Sequence, residues 1–308
     1  MRLRIALRLL VTIPLSGVVI ASILSAGWLV LGSPTVARGA TWFSITKVGD
    51  SEFIGAPDQP FFTLVLGNDS RSISEDNGLG DAIHVIGVNP ATGQASILNV
   101  PRDTEAPGGG KINAFNSNGG LPAMVEQLNR MMGIEIKYAI TTNFTGFMAM
   151  VDEIGGIDID VPPVTEGDGK WNDDNTGAFF EPGPQKFNGS QALAFSRDRY
   201  DFETTGDVTR SANQARLIIA ALATLRAQNP GDTGTLKLAA TLARHVTTQN
   251  LSLAEIYRLG RLALTVDPAV IKNLTIPVGG GSGTNLSVGA GASELFSDFA
   301  DDATLQNH

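Results

Sequence analysis

The sequence contains no cysteine, which excludes disulfides, thiolate chemistry and cysteine-held zinc or iron–sulfur centres. Basic residues are in deficit: 22 Lys and Arg stand against 31 Asp and Glu, a formal charge of −9. No electrostatic footprint for nucleic acid results, and nucleic acid is excluded as a partner. Any anion must therefore be gripped by a local cluster of Arg or Lys, or through a metal. Aromatic residues are few (6%) and glycines many (35), a balance that suits a loop-rich α/β protein better than a helical bundle. Several familiar signatures are also missing: there is no GxSxG elbow, no GxGxxG opening a helix and no HExxH. Lys111 follows three glycines but lacks the strand–loop–helix setting of a phosphate-binding loop. Hydrolase triads and nucleotide-dependent kinases fit poorly.

The longest apolar run is at the amino terminus. Arg2, Arg4 and Arg8 precede an uncharged stretch, residues 9–33, closed by Pro34. A run of that length spans a bilayer core, whereas a signal-peptide core is about 7–15 residues. The reading is a single-pass anchor in the cytoplasmic membrane. The basic flank places residues 1–8 in the cytoplasm and the rest of the chain outside. A long cleavable signal, with Thr35-Val36-Ala37 as its site, is the alternative; both put the working domain beyond the membrane.

Residues 34–58 read as a juxtamembrane segment with one strand at Thr41–Ile45. Residues 59–230 read as the main domain. Phe61–Gly67 is a buried strand closed by a turn, Ala82–Val88 a second, and Thr92-Gly93 turns into a third at Ala95–Val100. Leu121, Met124, Val125, Leu128 and Met132 repeat at helical spacing up to Gly133. A strand at Tyr138–Thr142, a helix around Phe147–Ile154 and a strand at Ile157–Val161 follow. Residues 164–186 read as a mobile polar loop. The longest helix is predicted from about Asp207, its cap, to Ala227. Residues 231–308 form an extension partly packed on the domain: amphipathic segments at 235–247 and 252–265, a strand at Ile271–Pro277, then flexible chain from about 279 and a weakly amphipathic tail. Strands alternating with helices imply a three-layer α/β/α domain with a central mixed sheet.

Three groups of residues could carry chemistry. Asp69 follows a buried strand, where an open α/β sheet presents its ligand site, and Asp81 opens the next strand. Two carboxylates with water and substrate oxygens make an ordinary Mg²⁺ complement; equally, both are common turn formers. Arg102, at the end of a strand, can grip phosphate bidentately, or simply pair with Asp103. Arg197 and Arg199 point the same way if extended, and Arg210 and Gln214 lie one turn apart on a helix face. With Arg102 they would form a pyrophosphate clamp, unless Asp198, Asp201, Glu203 and Asp207 turn them into a salt-bridged surface. His84, within a strand, reads as structural; His245 and His308 have no local partners.

Eight segments resemble, in order, the LytR-CpsA-Psr family of cell-wall glycopolymer ligases. They are Leu66–Arg71, Asp81-Ala82-Ile83, Val100–Thr104, Lys111-Ile112-Asn113, Asn143–Phe147, Ile154–Asp158, Asn188–Arg197 and Gly206 to Gln214. The resemblance implies an apolar interior that holds a polyprenyl chain, with the pyrophosphate at its mouth. It implies Mg²⁺ (or Mn²⁺) on Asp69 and Asp81, and pyrophosphate contacts from Arg102, Arg197, Arg199, Arg210, Gln214 and Arg71. The implied reaction moves a glycan phosphate from an undecaprenyl-pyrophosphate carrier to a peptidoglycan hydroxyl, with Arg102, Asp103 and Asp69 as catalytic candidates. Asp103 and Asp69 are both possible bases, and nothing in the sequence selects between them.

One position departs from the family pattern. Leu79 stands where the family usually has Arg, two residues before the second aspartate, and Gly80-Asp81-Ala82 replaces Ser-Asp-Thr. Losing a guanidinium from such a clamp costs about 1.5–3 kcal/mol if it points inward. That keeps two alternatives open beside a phosphotransferase: a non-catalytic scaffold that binds polyprenyl (pyro)phosphate, and a polyprenyl pyrophosphatase.

Overall fold

The structure is a computed structural model describing residues 41–49, 59–69, 78–164, 169–199, 206–229, 231–281 and 284–308. The expected membrane segment, residues 9–33, lies outside the described residues, as do most of 34–58 and Arg71. No helix among the described residues is long and apolar enough to cross a membrane.

The strands begin with β1 (Phe43–Lys47), β2 (Phe61–Asn68), β3 (Gly80–Asn89), β4 (Gln94–Asn99) and β5 (Ile136–Asn143). Short strands follow: β6 (Ile157–Val161), β7 (Trp171–Asp173), β8 (Ala178–Phe180), β9 (Gly183–Phe187), β10 (Val246–Gln249), β11 (Lys272–Thr275), β12 (Val278–Gly280) and β13 (Leu286–Val288). The helices are α1 (Ala114–Met132), α2 (Phe144–Glu153), α3 (Gly189–Arg197), α4 (Gly206–Gln228), α5 (Gly231–His245), α6 (Leu253–Thr265) and α7 (Ala292–Asp302). Seven strands form one mixed sheet in the order β10-β1-β5-β2-β3-β4-β11. β2 runs parallel to β5 and antiparallel to β3, and β11 lies parallel to β4.

The alternation of side chains decides what each face meets. Phe62, Leu64, Leu66, Ile83, Val85, Leu98 and Ala139 form a dry core with α1 and α7. The opposite face carries Val65, His84, Asn99 and Ile140 in one row. Helix α4 covers part of it, the Ala212 carbonyl meeting Asn273 of β11. Val65 and Ile140, on the central strands, stay only half-buried beneath that layer, an apolar floor that the helices do not fully close.

Local signals explain the helix ends. Gly133 takes the left-handed conformation (φ 69°) that stops α1. Asn143 caps α2 by accepting from the Gly146 N–H at 2.8 Å. Asn188 and Gln191 form a reciprocal capping box on α3, so the segment Asn188–Gln191 has a structural reason to exist. Helix α4 includes Asp207 in its first turn instead of being capped by it.

Two expectations are corrected. Residues 164–186 are not simply a polar loop. They hold β7, β8 and the start of β9, and Trp171, Phe180 and Phe187 are buried against Phe195, with the Trp171 and Phe195 ring centroids 4.6 Å apart. Three-residue strands are too short to show alternation, and turn residues separate their aromatics. Nor is residue 230 a structural boundary. β10 and β11 complete the two edges of the main sheet, and Leu295, Phe296 and Phe299 of α7 enter the core. Gly87 makes room for this docking, since a Cβ there would lie 2.1 Å from the Ala303 carbonyl oxygen. Phe299→Ala is therefore expected to cost about 3–5 kcal/mol in denaturant unfolding, as a core truncation does; a change near zero would mean that α7 is a loose appendage.

Candidate functional site

Because β2 and β5 are parallel and β3 is antiparallel to β2, the ends of β2, β4 and β5 and the start of β3 share one edge of the sheet. Asp69 follows the end of β2 and Asp81 opens β3. A register shift between Gly67 and Asn68 leaves Asn68 opposite Gly80. Leu79 latches the two together: its N–H donates to Asp69 Oδ1 at 3.0 Å, and its carbonyl accepts from the Asp69 N–H at 3.3 Å. The Leu79 side chain is exposed.

Arg102, just past β4, donates from Nη1 to Asp81 Oδ1 at 2.7 Å. Across the edge, the first turns of α4 bring Asp207 and Arg210 together at 2.9 Å, with Arg199 at 4.0 Å from the same carboxylate oxygen. These pairs form one cluster. Burial opposes the charge on Arg102, but the Asp81 hydrogen bond and the charges of Asp81, Asp207 and Asp103 outweigh it and raise its pKa. Arg210 is almost fully buried, and burial lowers its pKa. Asp207 and Asp81 oppose that shift, while Arg102 and Arg199 reinforce it. Arg102 Nε and Arg210 Nε are buried N–H donors without a hydrogen-bond acceptor among the described residues. Buried donors of that kind call for acceptor oxygens.

The remaining expected residues fall at or near this edge in different states. Asp103 lies 2.9 Å from Lys111 and 4.0 Å from Arg102 Nε. Gln214 donates from Nε2 to the Ser196 carbonyl at 2.9 Å. Arg197 is the last residue of helix α3, not part of an extended pair with Arg199, and its guanidinium lies 5.3 Å from the Phe144 ring centroid. Asp207, read in the sequence as a cap or a competing surface charge, is the counter-ion that makes Arg210 tolerable.

Asp69 and Asp81 suit a cation only in part. Each commits one carboxylate oxygen, to the Leu79 N–H and to Arg102 respectively, and keeps a second oxygen uncommitted among the described residues. No group of three or more His, Cys, Asp or Glu able to hold a metal occurs among those residues. The pair fits a hard ion that takes the rest of its shell from water and phosphate oxygens.

A buried polar chain beside the site leaves little sign in the sequence. His84 Nδ1 meets Asn99 Oδ1 at 2.8 Å, and Asn99 Nδ2 donates to Asn273 Oδ1 at 2.6 Å. Polar residues inside apolar strands were the available signal, but the register was needed to align them. The other two histidines also have partners: His245 stacks on Trp42 with centroids 4.2 Å apart, and His308 meets Asp298 at 2.9 Å.

Residues 41–298 match the LytR_cpsA_psr family profile. The chain belongs to this family. Among LytR_cpsA_psr relatives, the polyisoprenyl-teichoic acid–peptidoglycan teichoic acid transferase TagV of Bacillus subtilis (strain 168) is 31% identical over 176 residues, covering 54% of this chain and 44% of that protein. The chain spans about half the length of the curated relatives it matches. The crystal structure of B. subtilis TagV superposes with a TM-score of 0.64 at 23% identity, covering 80% of this chain and 97% of that one. TagT bound to LIIa-WTA superposes with a TM-score of 0.62 at 19% identity, covering 88% and 99%. At these identities the structural likeness speaks for a shared α/β fold with a central mixed sheet.

The buried imidazole predicts a pH dependence of stability. Burial holds the His84 pKa down to about 4, against an ordinary 6.5. The unfolded chain thus binds a proton that the folded chain refuses. This contribution is complete above about pH 6.5 and is lost as pH falls towards 4, amounting to roughly 3 kcal/mol. Urea unfolding of wild type and His84→Leu at pH 7 and pH 4.5 should show the wild type losing about 2–3 kcal/mol more on acidification; equal losses would contradict a neutral buried imidazole.

Proposed function

We propose that this chain transfers a phospho-linked glycopolymer from an undecaprenyl-pyrophosphate carrier to a peptidoglycan hydroxyl. The single observation that carries the reading is the pair of guanidinium groups of half-buried Arg102 and buried Arg210, whose buried Nε–H donors lack acceptors among the described residues beside a two-carboxylate edge. Pyrophosphate oxygens match such donors in charge and hydrogen-bonding capacity. TagV's transferase activity supports the choice of donor and acceptor class. The half-buried floor of Val65 and Ile140 behind the cluster suits the apolar tail of the carrier. The working domain lies outside the cytoplasmic membrane, held there by residues 9–33.

In this reading Arg102, Arg199 and Arg210 bind the diphosphate and stabilise charge that develops on the departing lipid phosphate. Arg197, Gln214 and Arg71 complete its surroundings. Asp69 and Asp81 would hold Mg²⁺ or Mn²⁺, which would supply neutralisation of the diphosphate's charge. Asp103, paired with Lys111, and Asp69, which would share its charge with the metal, are the two candidates to accept the acceptor hydroxyl's proton.

A second reading, a non-catalytic polyprenyl-pyrophosphate scaffold, draws on exposed Leu79 at the edge of the cluster. One experiment separates them: the purified full chain with a polyprenyl-pyrophosphate glycan and peptidoglycan fragments, in Mg²⁺ and then in EDTA. Transfer should fall about 10²–10³-fold in Arg102→Ala and Arg210→Ala, and should be abolished by the chelator. Tight lipid binding without turnover supports the scaffold instead, and lipid phosphate released without acceptor indicates a pyrophosphatase.

A further inference from the structure

The polar chain behind the cluster has a direction set by a group that cannot turn round. It starts at the Ala212 carbonyl of α4, which accepts from Asn273 Nδ2 at 3.2 Å. A backbone carbonyl is only an acceptor, so the Asn273 amide is oriented with Oδ1 towards β4. That oxygen accepts from Asn99 Nδ2 at 2.6 Å, which leaves Asn99 Oδ1 facing His84 Nδ1 at 2.8 Å. The imidazole is fully buried, and in its neutral form it must then carry its proton on Nδ1 and a lone pair on Nε2.

The chain ends beside the helix where it began. Gln214 of α4 lies next to the imidazole, with its Nε2 committed to the Ser196 carbonyl, and its Oε1 and His84 Nε2 are both buried acceptors without a hydrogen-bond partner among the described residues. Hydrogen bonds therefore tie β3, β4 and β11 to α4 at Ala212, two residues after Arg210, and His84 meets the same helix again at Gln214 by packing. The Ser196 link reaches the residue before Arg197.

We propose that His84 is a positioning residue of the diphosphate site: the hydrogen-bonded run Ala212–Asn273–Asn99–His84, closed into a loop by the packing of His84 beside Gln214, sets the first turns of α4 against the sheet, and so places Arg210 and Gln214. This rests on the diphosphate reading above for its consequence, but not for its chemistry. The residue does not touch the reacting atoms.

The chain has 3 histidines, so ¹⁵N-histidine labelling of the purified full chain gives a resolvable imidazole spectrum, with His84 assigned from His84→Phe. The expected state is Nδ1-protonated with an unprotonated Nε2; an Nε2–H tautomer overturns the loop. Calorimetry with inorganic pyrophosphate should show about tenfold weaker binding in His84→Phe and in Asn273→Leu, and no further loss in the double variant, because both open the same loop. With lipid-linked donor the loss should appear in KM more than in kcat. If His84→Phe does not fold, Asn273→Leu, at the half-buried edge strand, decides by the same measurements. Unchanged binding in the loop variants beside a loss in Arg102→Ala overturns the positioning role. Unchanged binding in Arg102→Ala as well overturns the diphosphate reading, and the tautomer still decides whether the loop exists.

Discussion

Arg210 is a charged side chain buried almost completely, and the architecture around it answers that cost. An isolated buried guanidinium is strongly disfavoured. Here Asp207, one turn earlier on the same helix, supplies a counter-charge at 2.9 Å, and Asp81 adds a second from the sheet edge. Arg102 and Arg199 oppose those two carboxylates but do not outweigh them, and what stands against the charge on Arg210 is chiefly its burial. In a chain of net charge −9, so many guanidinium groups meet only because strand ends and a helix start are brought to one edge. The proposed diphosphate would give the buried donors the acceptor oxygens that the fold alone does not supply.

Much of this was readable from the sequence, for reasons that differ between segments. Strands β2 to β5 announce themselves because each is an apolar run long enough to show its period and is closed by a turn residue or a loop. Helix α1 shows a clean apolar stripe and ends at Gly133. The convergence of Asp69 with Asp81 depended on their strands being neighbours, and the gathering of Arg102 with Arg210 stood beside a salt-bridged surface as an open alternative until the family resemblance favoured it. Which groups pair could not be read. Asp207 looks the same in sequence whether it caps a helix or neutralises a buried arginine, and the difference is one of burial.

Contacts between distant segments escaped the sequence reading. The aromatic hairpins around Trp171 and Phe180 bury their rings through tertiary packing, which three-residue strands cannot signal locally. The polar alignment of His84 with Asn99 depends on register between β3 and β4, and the part of Asn273 on a strand 174 residues away from Asn99. Family resemblance supplied the arginines and aspartates but not this chain, which lies beneath them.

The order of strands in the sheet carries a consequence for how the protein is made. Its strands β2, β3 and β4 form a meander of neighbours in sequence, while the outermost strands β10 and β11 come from far down the chain. Local pairings form early, and distant ones must wait for closure of a long segment. During synthesis β1 and β4 therefore present open hydrogen-bonding edges until residues 246–275 have emerged. Those unpaired rims are where a nascent chain is most exposed to mispairing with its neighbours, and the late strands act as its closing seams.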